Sequence, residues 1–410
     1  MINTLWLFMF LIAIFSSLLQ FLFNNDVEVF SLIVGAIFKN AQVAVEISLG
    51  LIGILSFWLG ILKIIEETGI AQKISKKLSP LFKIIMKDVP ENSPAISTIV
   101  LNMSANFLGL DNAATPVGLK AMEQLQTYNT KKDEASDAQI LFMILNASSI
   151  TFIPITILMY RAQMGALRPT DVFIPILIAT SVSTLVGFLS VAIKQRINLK
   201  NKILLKWILG FVLFILLTSI GFLAVDYEKR LQISSIIGNL ILILLIGIVM
   251  LTAIKQKVKA YELFIDGAKE GFNIAIKIIP YLVSMLVAIG VLRASGFLDI
   301  IINAIKYLGN SLNINVSFVD ALPTAIIKPF SGSGARAMMI ETMNTFGADS
   351  FSGFVASVVQ GSTETTFYVL AVYFGAINIS KTRYALKYGL LSDLAGIITA
   401  IVVAYIFYEN

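Results

Sequence analysis

Val359-Gln360-Gly361-Ser362-Thr363-Glu364-Thr365-Thr366-Phe367 lies inside a run, residues 354–374, apolar enough to cross a bilayer. Lipid offers no partner to a buried donor or acceptor, so polar residues at the centre of such a run are costly. Glu364 is the costliest. Gly361 lets a helix break there and frees backbone groups. A lone Ser or Thr would bond back to its own helix. Gln360, Ser362, Thr363, Glu364, Thr365 and Thr366 in near succession point instead to a binding site. The stretch has an echo in residues 145–151, within the apolar run 140–160. At an offset of about 214, Asn146 aligns with Gln360, Ser148 with Ser362 and Thr151 with Thr365. Two broken spans in corresponding places predict an internal repeat.

Of 410 residues, 57% are hydrophobic and 14% charged, where a soluble domain carries about 25% charged residues. The expected fold is an all-α polytopic membrane protein. Residues 3–23 lack a basic start and a small-residue cleavage site, so they are read as the first span. Cys and His are both absent. Disulfides, zinc sites, iron–sulfur clusters and histidine base chemistry are therefore excluded. No cofactor and no nucleic-acid partner is expected, and an enzyme is the weakest reading. The partners are the lipid bilayer and a small solute, with a homo-oligomer left open.

Apolar length predicts nine spans, at 4–23, 42–62, 140–160, 172–193, 203–223, 233–253, 272–292, 354–374 and 384–405. Lys and Arg crowd the loops 63–87, 194–206, 255–259 and 381–387. All fall on one side if the N-terminus is cytoplasmic, which leaves the C-terminus outside a bacterial cytoplasmic (inner) membrane. The stretches 93–126 and 317–344 are apolar but interrupted, each in pieces of 10–12 residues, about half a bilayer at ~1.5 Å per residue. They read as re-entrant helical hairpins. Residues 70–87 and 298–308 read as interfacial helices. Span, span, hairpin, span, span describes residues 1–200 and again 232–410, with 201–231 as the linking helix and loop. The result is an inverted-topology repeat.

Hairpin one turns at 108–115, where Thr115-Pro116 suits a helix start. Hairpin two turns at 328–334, with Ser331 at the turn and Ser333 expected to cap the next helix. Both starts present free N–H groups and a positive dipole end. Lys120 and Arg336 would sit in the first turns, and Lys328 just before the second. An anionic ligand, or pairing with Asp111 and Glu364, would offset their charge. Asn106, Asn112, Asn146 and Gln360 can each donate and accept. Glu364 is expected to be buried beside hairpin two.

Residues 105–122 resemble the signature of spore maturation protein A. Residues 328–336, 360–368 and 381–386 resemble spore maturation protein B. The chain looks like a fusion of the two, within the nucleoside-recognition, or Gate-domain, group. It departs from that pattern at Asp111, where the family carries Gly. The resemblance implies a transporter-like fold. The leading expectation is a secondary transporter of a small polar, anionic or nucleoside-like metabolite, with room for a coupling ion, Na+ or H+. A non-transporting scaffold or regulator is the second, and ferrous-iron passage through Asp111 and Glu364 the third.

Overall fold

In lipid a spanning segment must pair its own backbone, so these apolar runs fold as helices. The computed structural model describes residues 2–90, 93–108, 111–148 and 150–408, with side chains for all of these except 2–5, 71, 111–113, 227 and 228. The first part of the chain forms α1 (Ile2–Asn24), α2 (Glu28–Glu67), α3 (Ile70–Ile85), α4 (Pro94–Phe107), α5 (Asp111–Tyr128), α6 (Asp137–Ser148), α7 (Ile155–Gln163) and α8 (Phe173–Lys194). The single helix α9 (Lys202–Leu223) follows. The second part forms α10 (Tyr227–Gln256), α11 (Ala260–Ala294), α12 (Phe297–Ser311), a short 3-10 turn (Ser317–Ala321) leading into α13 (Leu322–Ile327), then α14 (Gly332–Phe346), α15 (Phe351–Ser362), α16 (Thr366–Ala376) and α17 (Ala385–Tyr408).

Among the described residues, seven helices, namely α1, α2, α8, α9, α10, α11 and α17, are long and apolar enough to cross a membrane. The other two expected spans, 140–160 and 354–374, are the broken pairs α6/α7 and α15/α16. The helices α2 and α11 run to 40 and 35 residues, well past the expected 42–62 and 272–292. Apolar length marks only the stretch that lipid favours; nothing stops the helix in the flanking amphipathic turns. The helices α3 and α12 follow the two long helices and carry apolar and polar residues on opposite faces.

Helices in corresponding positions pack antiparallel, which is what inversion requires. Along α2 and α11, Ser56 meets Gly271 while Leu59 meets Gly267 and Gly60 meets Phe264. Along α8 and α17, the Ser183 and Ser392 hydroxyls lie 3.0 Å apart while Gln195 reaches Tyr384 at 3.0 Å. The basic loops gather at one end of the molecule. Lys87 donates to the Arg196 carbonyl at 2.6 Å, and Lys381 pairs with Asp133 at 2.7 Å. That hydrogen bond holds the exposed Asp133 carboxyl below the usual carboxylate range. At the other end Arg161, fully buried, donates to Asp171 and to the Ala348 carbonyl, both at 2.9 Å, and so ties the two repeats together.

Gly267 sits where α11 crosses α2: a Cβ there would lie 2.3 Å from the Leu59 carbonyl oxygen, a backbone atom that cannot turn aside. Small residues at such crossings let membrane helices approach closely. Gly267→Val is expected to cost about 1–3 kcal/mol, the usual range for overpacking, read as a lower melting midpoint in detergent. Gly210→Val on α9, with nothing within 4 Å, should leave the midpoint unchanged. Equal midpoints for the two variants would refute this crossing.

Candidate functional site

Both broken helices stop at the same place. The helices α6 and α15 each run twelve residues, beginning and ending at the offset of about 214 read from the sequence. Beyond Ser362 the chain is extended, with φ −149° at Thr363 and −97° at Thr365. A break frees N–H and C=O groups, and here three of the freed N–H groups find another segment. The Phe152 N–H donates to the Phe107 carbonyl of hairpin one at 3.1 Å. The Phe367 N–H donates to the Pro329 carbonyl of hairpin two, also at 3.1 Å. The Glu364 N–H crosses between the repeats to the Ala147 carbonyl at 2.8 Å. A stacked ring pair reinforces each hairpin contact: Phe107 on Phe152 at 5.0 Å, and Phe330 on Phe367 at 5.2 Å.

A cavity of about 80 Å³ lies between the repeats. The first repeat contributes Thr151, Ile153, Ile157 and Tyr160; the second contributes Lys328, Gly332, Arg336, Gln360, Thr363 and Glu364. Of the residues expected at the site, six therefore meet there: Thr151, Lys328, Arg336, Gln360, Thr363 and Glu364. Arg336 stands over the Tyr160 ring at 5.7 Å and has no ion pair among the described residues. Gln360 is buried, reaches the Gly332 carbonyl only at 3.5 Å, and its Oε1 has no partner among the described residues.

Several expectations need correction. Glu364 is exposed rather than buried, because its carboxylate opens onto the cavity instead of pairing across it. It does lie in one cavity with Arg336 and Lys328, and Lys328 is buried. Asn106 and Asn146 do not line the cavity. The Asn106 Nδ2 donates to the Asn146 Oδ1 at 2.7 Å, and the Tyr373 hydroxyl donates to the same oxygen at 3.0 Å. Asn146 in turn donates to the Phe142 carbonyl at 2.9 Å. These amides lock hairpin one, α6 and α16 together, since a buried amide takes protein partners wherever they are in reach. Ser148 and Ser362 bond back to Leu145 and Val359 in their own helices. Thr365 is buried against Gly332 outside the cavity lining.

The second helix of hairpin one is already formed at Asp111, ahead of Thr115-Pro116, so Pro116 lies inside it and Thr115 is half-buried. One missing N–H near a helix start costs a single bond, which the hairpin tolerates. Lys120 is thereby displaced from the first turn and is exposed. The side chains of Asp111 and Asn112 fall outside the described residues. In hairpin two the cap is Ser331, not Ser333: Ser331 is extended and its Oγ accepts the Gly334 N–H at 3.0 Å. Ser333 is exposed, its hydroxyl 3.3 Å from that of Ser331.

Three residues escaped the sequence reading. Tyr160 shares the cavity, but an aromatic residue closing an apolar run carries no signal of its own. Tyr373 looked equally ordinary. Asp393 had a signal, an acid inside the run 384–405, and it is buried in α17.

The family model for nucleoside recognition (Gate) matches residues 48–163 and 275–380. Those two segments span both hairpins and both broken helices. The chain is 47% identical over 168 residues to spore maturation protein B of Bacillus subtilis (strain 168), covering 92% of that protein and 41% of this chain. It is 43% identical over 148 residues to spore maturation protein A of the same organism, covering 76% of that protein and 36% of this chain.

Proposed function

We propose, for a chain that belongs to the nucleoside-recognition (Gate) family and joins counterparts of spore maturation proteins A and B in one polypeptide, that it is a secondary transporter of a small polar solute, anionic or nucleoside-like. The observation that carries this reading is the cavity between the repeats, where, among the described residues, Arg336 has no ion pair and the Gln360 side-chain Oε1 no hydrogen-bond partner. A guanidinium offered this way suits a carboxylate or phosphate, which it can grip through two parallel N–H donors. Gln360 and Thr151 would take the neutral heteroatoms, and Tyr160 the apolar face. Glu364 would accept from a hydroxyl or amine. Lys328 adds positive charge to the wall.

The cavity's 80 Å³ falls below the ~300–1,000 Å³ of ordinary ligand pockets. A nucleoside-sized solute would need the repeats to part, as alternating access between inverted repeats requires. In this reading residues 1–200 form the A-like half, 232–410 the B-like half and 201–231 the link. The protein would sit in the cytoplasmic membrane with its basic loops inside. The small cavity favours one second reading, a scaffold that keeps the fold and moves nothing.

Thermal-shift measurements on the purified chain with nucleosides, nucleotides and carboxylated metabolites test the reading. At least one compound should raise the wild-type midpoint. Arg336→Gln should weaken an anionic ligand by roughly 1.5–3 kcal/mol, the usual worth of a hydrogen bond to a charged group. If no compound stabilises the wild type and the substitution spares the cellular phenotype, the scaffold reading replaces this one. Orientation has its own test on a chain with no native Cys. A Cys placed in loop 194–206 should resist an impermeant reagent added to intact cells, and one at Leu167, which is exposed, should react. The reverse pattern would overturn the orientation.

A further inference from the structure

We propose that the break between α15 and α16, closed over by α17, binds a monovalent hard cation, Na+, through Asp393, Thr363 and Thr366. Asp393 is 1% exposed, and neither of its carboxylate oxygens makes a hydrogen bond of ordinary geometry among the described residues. The hydroxyls of Thr363 and Thr366 lie beside it. Both residues are buried, and their Oγ1 atoms lie within reach of the carboxylate while making no hydrogen bond of ordinary geometry among the described residues. Four buried oxygens thus lie together at the break.

The α17 face that carries Asp393 is cut to fit the break. Gly389 and Gly396 lie about one turn on either side. A Cβ on Gly389 would lie 3.1 Å from the Thr366 Oγ1, and one on Gly396 would lie 3.1 Å from the Ser362 carbonyl oxygen. That carbonyl belongs to the C-terminal end of α15, where unpaired carbonyls and the helix dipole make the environment negative. A carboxylate, two hydroxyls and a helix C-terminus form an all-oxygen, anionic nest.

The first repeat handles the equivalent place differently. There α8 supplies Thr180 and Thr184, whose hydroxyls both reach the Ser148 carbonyl at 3.3 Å. Donors meet the freed carbonyl and close the account. In the second repeat α17 brings a carboxylate, which when ionised only accepts. A carboxylate that only accepts, hydroxyls that can turn their lone pairs to an ion, and the negative end of α15 together suit a cation.

The donor set narrows the choice. Carboxylate, hydroxyl and carbonyl oxygens suit hard ions. The described residues include no group of three or more acidic, His or Cys side chains that could hold a metal ion. The single carboxylate also feels the positive charge of the buried Lys328 on hairpin two, opposed by that of Glu364, so a divalent ion would be over-compensated. The inference deepens the transport reading and rests on it for the ion's role, but not for its binding.

The test is the melting midpoint of the full-length chain in NaCl against equal choline chloride and KCl. Wild type should show a saturable rise in Na+ alone. Asp393→Asn should lose it, Thr366→Val and Thr363→Val should need about tenfold more Na+, and Thr399→Val, whose hydroxyl bonds its own helix, should match wild type. If Asp393→Asn fails to fold, the two Thr variants carry the test. Identical melting of wild type in Na+ and choline overturns the proposal. So does a Na+ response that survives Asp393→Asn, or stabilisation by acid alone, which would mean a protonated carboxylate. The solute panel repeated in choline separates the two claims: solute binding with no Na+ effect sinks the ion site alone, and a Na+ effect with no solute sinks the transport reading alone.

Discussion

Backbone groups released at a helix break inside a membrane must find partners, because an unpaired amide in an apolar setting costs on the order of 2–7 kcal/mol. Three hydrogen bonds answer part of that demand here, and they join the breaks to the hairpins and to each other. Phe152 to Phe107 pins hairpin one to its broken helix, Phe367 to Pro329 pins hairpin two, and Glu364 to Ala147 joins the breaks to each other. Each hairpin tip is thereby held at the break of its own repeat, and the two breaks are held back to back. The cavity is the space left beside this junction.

The repeats are equivalent in backbone and unequal in chemistry. In the first, neutral groups are satisfied: Thr180 and Thr184 close the Ser148 carbonyl, Asn106 donates to Asn146, and Tyr373 of the second repeat donates to the same Asn146 oxygen. In the second, Lys328, Arg336, Glu364 and Asp393 collect around a break whose threonine hydroxyls make no hydrogen bond of ordinary geometry among the described residues. One half acts as a frame and the other presents the reactive polar groups. An amphipathic helix follows each long helix, and the ion pairs Arg161 with Asp171 and Arg293 with Glu341 anchor the ends of α7 and α11.

Much of this architecture was legible in the chain. Apolar length located the helices, Gly361 and the run of hydroxyls located the break, and the offset between Asn146 and Gln360 located its partner. Those signals are local and strong, since lipid punishes any polar residue it meets. What pairs with what was not legible. Asn146 and Gln360 align in sequence, yet Tyr373 lies close enough to engage the first while the second is left facing the cavity. The exposure of Glu364 depends on a cavity that only the packed structure creates. Helix starts were misplaced at Thr115-Pro116 and Ser333 because several nearby residues can serve as caps, and tertiary packing selects one. Asp393 carried the plainest signal of all, an acid in the last span, and the weight of the threonine stretch obscured it.

The central claim is that the two breaks meet and join the repeats at one centre. The absence of native Cys permits a direct measurement. Ala147→Cys and Glu364→Cys, introduced together in the full chain in membranes, are joined by mild oxidation and the product is digested and read by mass spectrometry. The account predicts an intramolecular 147–364 cross-linked peptide in most of the protein. Its absence, or a cross-link found only between separate copies, would contradict the account.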